Sequence, residues 1–282
     1  MIVRKVRAAG TKAHAKIGLG VGEEKEYKAR TLKAAKVAVK KGFAEITLVG
    51  GTKDLQEIST NEVELIESSK PEEELVKMLK EGSIDAVVRG SIKASNILKE
   101  IKRQLKPPRI FRVALLSTIR NHDFFFAPVG IDEGKNTEEK LMLISAGLKL
   151  IEGLGLKPKI AVLSGGRRED TYRWQSVNET IEEADNVVKE IRKLEITDVE
   201  NYEILIEKAV KEGANLIIAP NGIAGNLIYR TLIHLGGGKS HGAPLYGIKY
   251  FYVDTSRVGP LTEYVDAIAL ASAITRLKSW SV

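Results

Sequence analysis

At 282 residues the chain is long for one compact core, so length predicts two domains. An apolar share of 43% supplies both cores, yet no apolar run approaches the roughly 18–20 residues of a membrane helix, and none follows the basic start Met1-Ile2-Val3-Arg4, so neither a membrane nor a secretory leader is expected. Cysteine is absent, which excludes disulfides, thiolate catalysis and Cys-type zinc sites and points to the cytoplasm, while the net charge of +7 is interleaved with Glu along helices such as 23–41 and 182–193. Without a zinc finger, an aromatic RNA-binding motif or a basic tail, no nucleic-acid partner is expected. An anionic small-molecule ligand accounts for the surplus charge.

Short apolar runs alternate with amphipathic stretches, the pattern of βαβ units and mainly parallel sheets. A strand is predicted over 17–21, a helix over 24–41 with Gly42 as its stop, and a second strand over 45–49. A weaker strand at 63–66 precedes a helix opened by Pro71. Residues 84–88 form a strand, and Ser95 is expected to cap the helix that runs through Arg103. Lys106-Pro107-Pro108 breaks the chain and marks a domain crossing.

The second unit is predicted to open with a strand at 124–129 and a helix over 137–154. There Thr137 with Lys140 lacks a capping-box acid, though Glu138 and Glu139 suit the helix dipole. A strand at 159–163 follows, then helices at 177–194 and 202–212, a strand at 215–219 and a helix at 222–235. An apolar stretch at 243–253 and a closing helix from Leu261 to about Lys278 complete the chain.

Ligands of open parallel sheets bind beyond the carboxyl ends of strands. Four such loops carry polar or glycine-rich sequence. They are Arg89-Gly90-Ser91 with Lys93, Ser164-Gly165-Gly166-Arg167-Arg168, Pro220-Asn221-Gly222 with Gly225-Asn226, and Asp254-Thr255-Ser256-Arg257. Glycines admit close backbone approach, helix starts attract anions and arginines fork onto phosphate or carboxylate. One such loop alone is an ordinary helix cap. Four in register favour an anion site.

Gly18-Leu19-Gly20-Val21-Gly22 resembles a dinucleotide or S-adenosylmethionine turn. However, its glycines fall within the predicted strand, and Lys16 and Ile17 stand where an acid is usual. His14, His122, His234 and His241 have no metal-ligand spacing, so no metal is predicted. Asp132 and Glu133 flank a glycine-rich turn and read as solvated loop acids before cleft groups. Trp174, beside Tyr172 and Arg173, reads as core or as a lid aromatic.

Several blocks resemble, in order and spacing, the phosphate acetyl/butyryl transferase (phosphotransacetylase) family. They are Asn136-Thr137-Glu138-Glu139-Lys140-Leu141 followed by Ser145-Ala146, and Pro158-Lys159-Ile160-Ala161-Val162-Leu163-Ser164. Downstream stand Pro220 with Ala224-Gly225-Asn226 and Tyr229-Arg230, then Asp254-Thr255-Ser256-Arg257 with Glu263. The resemblance implies an isocitrate/isopropylmalate-dehydrogenase-like two-domain α/β fold with an interdomain cleft, domain I being 1–110 plus 249–282 and domain II 111–248. It also implies a homodimer, and an anionic substrate such as phosphate or coenzyme A rather than a bound cofactor. By the same resemblance Ser256 and Arg257 line the cleft, Arg257 holds phosphate, and Glu263 is the base that takes the coenzyme A thiol proton. Arg89, Ser91, Ser164, Gly165, Gly166, Arg167, Asn221, Gly225 and Asn226 are the expected ligand-binding set.

The chain departs from that family where Glu263 replaces aspartate, Val258 replaces glycine and the 164–171 loop is rewritten. Retained scaffold with altered loops is most similar to an archaeal branch, the MtxX family or methanogenesis marker protein 4, whose members carry the name of methyltransferase subunits. Acyl transfer is the expected function. A methyltransferase subunit of one-carbon or methanogenic metabolism and a non-catalytic ligand-binding relic of the fold stand as alternatives, the former without a DxHxxG corrinoid motif.

Overall fold

A computed structural model of the chain describes residues 1–56, 58, 61–277 and 280. It divides into two compact units, Met1–Ile110 with Ser240–Val282, and Phe111–Lys239. The first unit begins with α1 (Ile2–Ala13), β1 (Ala15–Val21), α2 (Lys25–Lys40), β2 (Ala44–Gly50) and the single turn α3 (Thr52–Leu55). It continues with β3 (Glu64–Glu67), α4 (Pro71–Glu81), β4 (Ala86–Val88) and α5 (Ala94–Leu105). The short β5 (Phe111–Arg112) follows where the chain leaves this unit.

The second unit holds β6 (Ala114–Ser117), β7 (Asp123–Ala127), α6 (Thr137–Gly153), β8 (Ile160–Val162), α7 (Gln175–Arg192) and β9 (Val199–Asn201). After α8 (Ile206–Lys211), β10 (Leu216–Ile218), α9 (Gly222–His234) and the boundary strand β11 (Lys239–Ser240), the chain returns to the first unit. There it forms β12 (Ala243–Tyr246), β13 (Phe251–Asp254) and α10 (Leu261–Ile274). The return at Ser240 comes earlier than residue 249 because the apolar stretch 243–253 is two strands. β12 pairs antiparallel with β13, which lies parallel to β4.

In the first unit the strands run β3-β2-β1-β4-β13-β12. β1, β2 and β4 are parallel and buried along nearly their whole length, Ile17, Leu19, Ile46 and Leu48 among them, as strands covered on both faces must be. Helix α10 is buried from Glu263 to Ile274, so its apolar character needs no polar face. In the second unit β7, β10, β8 and β9 are parallel and β6 pairs antiparallel with β7. Strands β4 and β10 therefore lie in different sheets, as the break at Lys106-Pro107-Pro108 predicts. No helix among the described residues is long and apolar enough to cross a membrane.

Local expectations shift in several places. Asn136 caps α6, its Oδ1 accepting Glu139 N–H at 3.0 Å, while Glu139 Oε2 accepts Lys135 N–H at 2.9 Å. The cap thus sits one residue before Thr137, and Glu139 binds the N–H of the residue preceding that cap. Ser95 lies inside α5, whose N-cap is Lys93. The helix expected at 202–212 starts only at Ile206, because Tyr202 is buried beside β9 with its hydroxyl on Glu212 at 2.9 Å. Helix α10 ends at Ile274, and Lys278 lies outside the described residues. Trp174 and Tyr172 are exposed, and Glu133 is buried on Arg112 at 2.8 Å rather than solvated.

A candidate ligand cavity in the first unit

The carboxyl ends of β1, β2 and β4 open onto one side of their sheet, and a cavity of about 340 Å³ lies there. Gly22, Glu24, Gly51, Ser91, Lys93 and Arg257 are on its wall. Helices α2, α4 and α5 all begin at this cavity. Among the described residues their N-caps, Glu24, Lys70 and Lys93, make no side-chain capping bond. Their first-turn N–H groups therefore lack side-chain acceptors at three starts around one space, whose wall carries the carboxylates Glu23, Glu24, Asp54 and Glu72 beside the cations Lys93 and Arg257.

The glycine run of β1 serves this geometry. A Cβ on Gly20 would stand 2.6 Å from Arg89 O, and Gly90, at φ +63°, would place one 2.2 Å from Gly20 O. The two glycines let the β4 loop lie against the end of β1. Ser91 N–H then donates to Gly20 O at 3.0 Å, and Gly22 N–H to Ser91 Oγ at 2.9 Å. The run works by close backbone packing inside a strand, not as a dinucleotide turn.

Arg89 is consumed by the fold. It is buried, ion-paired with Asp254, and donates to Ile92 O at 3.0 Å. Its expected ligand role gives way to clamping the β4 loop onto the end of β13. Past Asp254 the chain is held by Thr255 Oγ1 on Gly90 O (3.2 Å), Arg30 Nη1 on Gly259 O (2.7 Å) and Tyr264 OH on Arg257 O (2.9 Å). The Arg257 side chain reaches the cavity, with its guanidinium over the Tyr27 ring at 5.6 Å and Nη1 donating to Glu24 Oε1 at 2.8 Å.

Glu263 is only 1% exposed and is not on the cavity wall. Its Oε1 accepts Ser256 N–H at 2.6 Å, and its Oε2 is buried with no hydrogen-bond partner among the described residues. Burial pushes its pKa up to about 7, against the lowering by the Ser256 N–H, the Ser240 hydroxyl and Arg89.

In the second unit the expected ligand residues are engaged by their own chain. Ser164 Oγ donates to Gly166 O at 2.9 Å, Gly165 N–H to Thr180 Oγ1 at 2.8 Å, and Arg167 pairs with Glu169 at 3.3 Å. Asn221 Oδ1 caps α9 through Ala224 N–H at 2.9 Å, and Asn226 Nδ2 donates to Val129 O at 2.9 Å. A Cβ on Gly225 would meet Pro128 O at 2.0 Å, so this glycine serves packing of α9.

Of the expected set, the structure thus brings Ser91 and Arg257 to the cavity. Glu24 and Tyr27 went unread. Glu24 carries a signal, since it lies in the loop between the end of β1 and α2, the same kind of position as the other four loops, whereas Tyr27 lies inside the helix and carries none.

No family model matches the sequence. The fold has known counterparts. A phosphotransacetylase from Streptococcus pyogenes matches with a TM-score of 0.73 over 97% of this chain and 98% of its own, at 16% identity. This is a phosphotransacetylase-fold, isocitrate-dehydrogenase-like α/β protein. In sequence it is 41% identical over 276 residues to a Methanosarcina mazei protein named "Putative methyltransferase mtx subunit X", spanning 98% of this chain and 96% of that one. The chain belongs to that mtx subunit X family. A phosphate acetyltransferase of Buchnera aphidicola is a more distant relative, 25% identical over 299 residues that span 87% of this chain and 42% of the relative.

Proposed function

We propose that the chain is a group-transferase subunit that binds an anionic ligand in the first unit's cavity, methyl being the group that its relatives' names suggest. One observation carries this reading: Arg257, Lys93 and three helix starts without side-chain caps surround a single space of about 340 Å³. In it, the Arg257 guanidinium and the helix N–H groups take the ligand's phosphate or carboxylate, and the buried Ser91 hydroxyl fixes the loop beneath. A ligand of the native state raises the melting temperature. Thermal shifts against phosphate, coenzyme A, acetyl-coenzyme A and S-adenosylmethionine therefore identify the class of ligand. Arg257→Ala is expected to weaken the responding ligand by about ten-fold or more, the scale of a lost charge-assisted contact. Because Arg257 is half-exposed, the variant keeps its fold. Unchanged affinity in it refutes the assignment.

Acyl transfer is a second reading, favoured by the Glu263 pKa of about 7, which suits a general base at neutral pH. In it Ser256 and Arg257 position phosphate and Glu263 receives the thiol proton, for which the sealed carboxyl has to become accessible. Assaying acetyl transfer from acetyl-coenzyme A to phosphate decides between the readings. Absence of transfer by the folded wild-type chain removes Glu263, Ser256 and Arg257 from a role in acetyl transfer to phosphate.

A further inference from the structure

The anion position of the cavity already holds a carboxylate from the chain. Glu24 is the N-cap of α2, a helix of 16 residues, and its Oε1 accepts from Arg257 Nη1 at 2.8 Å. Tyr27, one turn along α2, lies beneath the Arg257 guanidinium and holds it toward that helix start. Glu24 thus meets the two features that attract an anion here, the guanidinium and the positive end of a helix.

The other acids of the wall are placed differently. Asp54 is ion-paired with Lys28 at 3.2 Å, and Glu72 accepts from Asn96 Nδ2 at 3.1 Å. Glu23 is exposed beside Glu24 and is not the residue on Arg257. Glu24 occupies Arg257 through Nη1, so an anion that enters the cavity competes with it for the guanidinium. This exchange breaks one charge-assisted pair as it forms another, and gains only when the newcomer is the stronger partner. Glu24 is 54% exposed at its side chain, so the released carboxylate returns to water without a burial penalty.

We propose that Glu24 is a built-in competitor that sets which anions the cavity accepts. A phosphate dianion, with more charge and more acceptor oxygens than a carboxylate, displaces it. A monocarboxylate, chemically equivalent to Glu24 itself, does not. The proposal rests on the reading that Arg257 receives the ligand's anion.

The test is titration calorimetry on the full chain at about pH 8, with inorganic phosphate and acetate as probes. Wild type, Glu24→Gln, Glu23→Gln and Arg257→Ala are compared, with circular dichroism confirming that each is folded. Exposed ion pairs are weak, so Glu24→Gln is expected to bind phosphate about two- to five-fold tighter and to gain measurable acetate binding. Glu23→Gln is expected to change phosphate affinity less, and Arg257→Ala to lose it. Phosphate affinity unchanged in Glu24→Gln but lost in Arg257→Ala overturns the competitor and leaves the anion site standing. An equal gain in Glu23→Gln also overturns it, since general charge then explains the effect. If no protein binds phosphate, or Arg257→Ala binds like wild type, the anion reading falls and the competitor with it.

Discussion

Glu263 stands in the first turn of α10, where a carboxylate ordinarily gains from the helix N-terminus. Here burial outweighs that gain and pushes its pKa up from 4.5 to about 7. The folded state then holds a proton that the unfolded chain releases at lower pH. Stability from this group is complete below about pH 4.5 and is lost as pH rises through about 7. The span corresponds to on the order of 3 kcal/mol. Melting temperatures of wild type are expected to fall between pH 5 and pH 8, about that range, relative to Glu263→Gln, which cannot ionise. Parallel profiles for the two proteins would show that the carboxyl is not held protonated. The same scale explains which site residues were legible. Arg257 and Ser91 follow strand ends, and position along the chain places them. That Arg89 is spent on Asp254 is invisible in sequence, because the partner lies 165 residues away and only the pairing of β4 with β13 brings it close.

Among elements, α1 was the largest omission, although its signal was there. Ile2, Val3, Val6 and Gly10 lie on one face at helical spacing, and all four are buried. Of the charged residues between them, Arg4 and Arg7 are exposed and Lys5 is half-buried. Strand β9 buries only Val199 and so offers no apolar run to read, and β6 pairs antiparallel with the next strand, outside the βαβ pattern, whereas the long buried runs of β1 and β2 are plain. The contact of α1 with α10 gives a test of packing against propensity. A Cβ on Gly10 would stand 2.6 Å from the carbonyl oxygen of Ala269 in α10. Alanine in place of glycine improves helix propensity by about 1 kcal/mol, but forcing two helices apart costs roughly 1–3 kcal/mol. Gly10→Ala is therefore expected to lower stability by about 1 kcal/mol in chemical unfolding, net of its propensity gain. A more stable variant would show that the helices separate without cost.

At the scale of the whole molecule, two sheets with separate cores account for the length of the chain, and each has a mostly parallel order that the βαβ pattern predicts. One helix of the second unit leaves large apolar side chains exposed. Helix α9 is strongly apolar, yet its buried residues are only Gly222 and Gly225. Ile223, Leu227 and the adjoining Leu235 are 64%, 61% and 84% exposed, and Ile228 and Leu232 are half-buried. An exposed apolar patch on a helix face suits docking, and we propose that a second copy related by a two-fold axis, the commonest arrangement of soluble oligomers, covers it. Sedimentation at micromolar concentration is expected to give a dimer. Replacing Leu227 with aspartate places a charge on the exposed stripe without touching the glycines that pack α9 onto its own unit, so it is expected to yield a folded monomer. A wild-type monomer, or a Leu227→Asp dimer as tight as wild type, removes α9 as the contact.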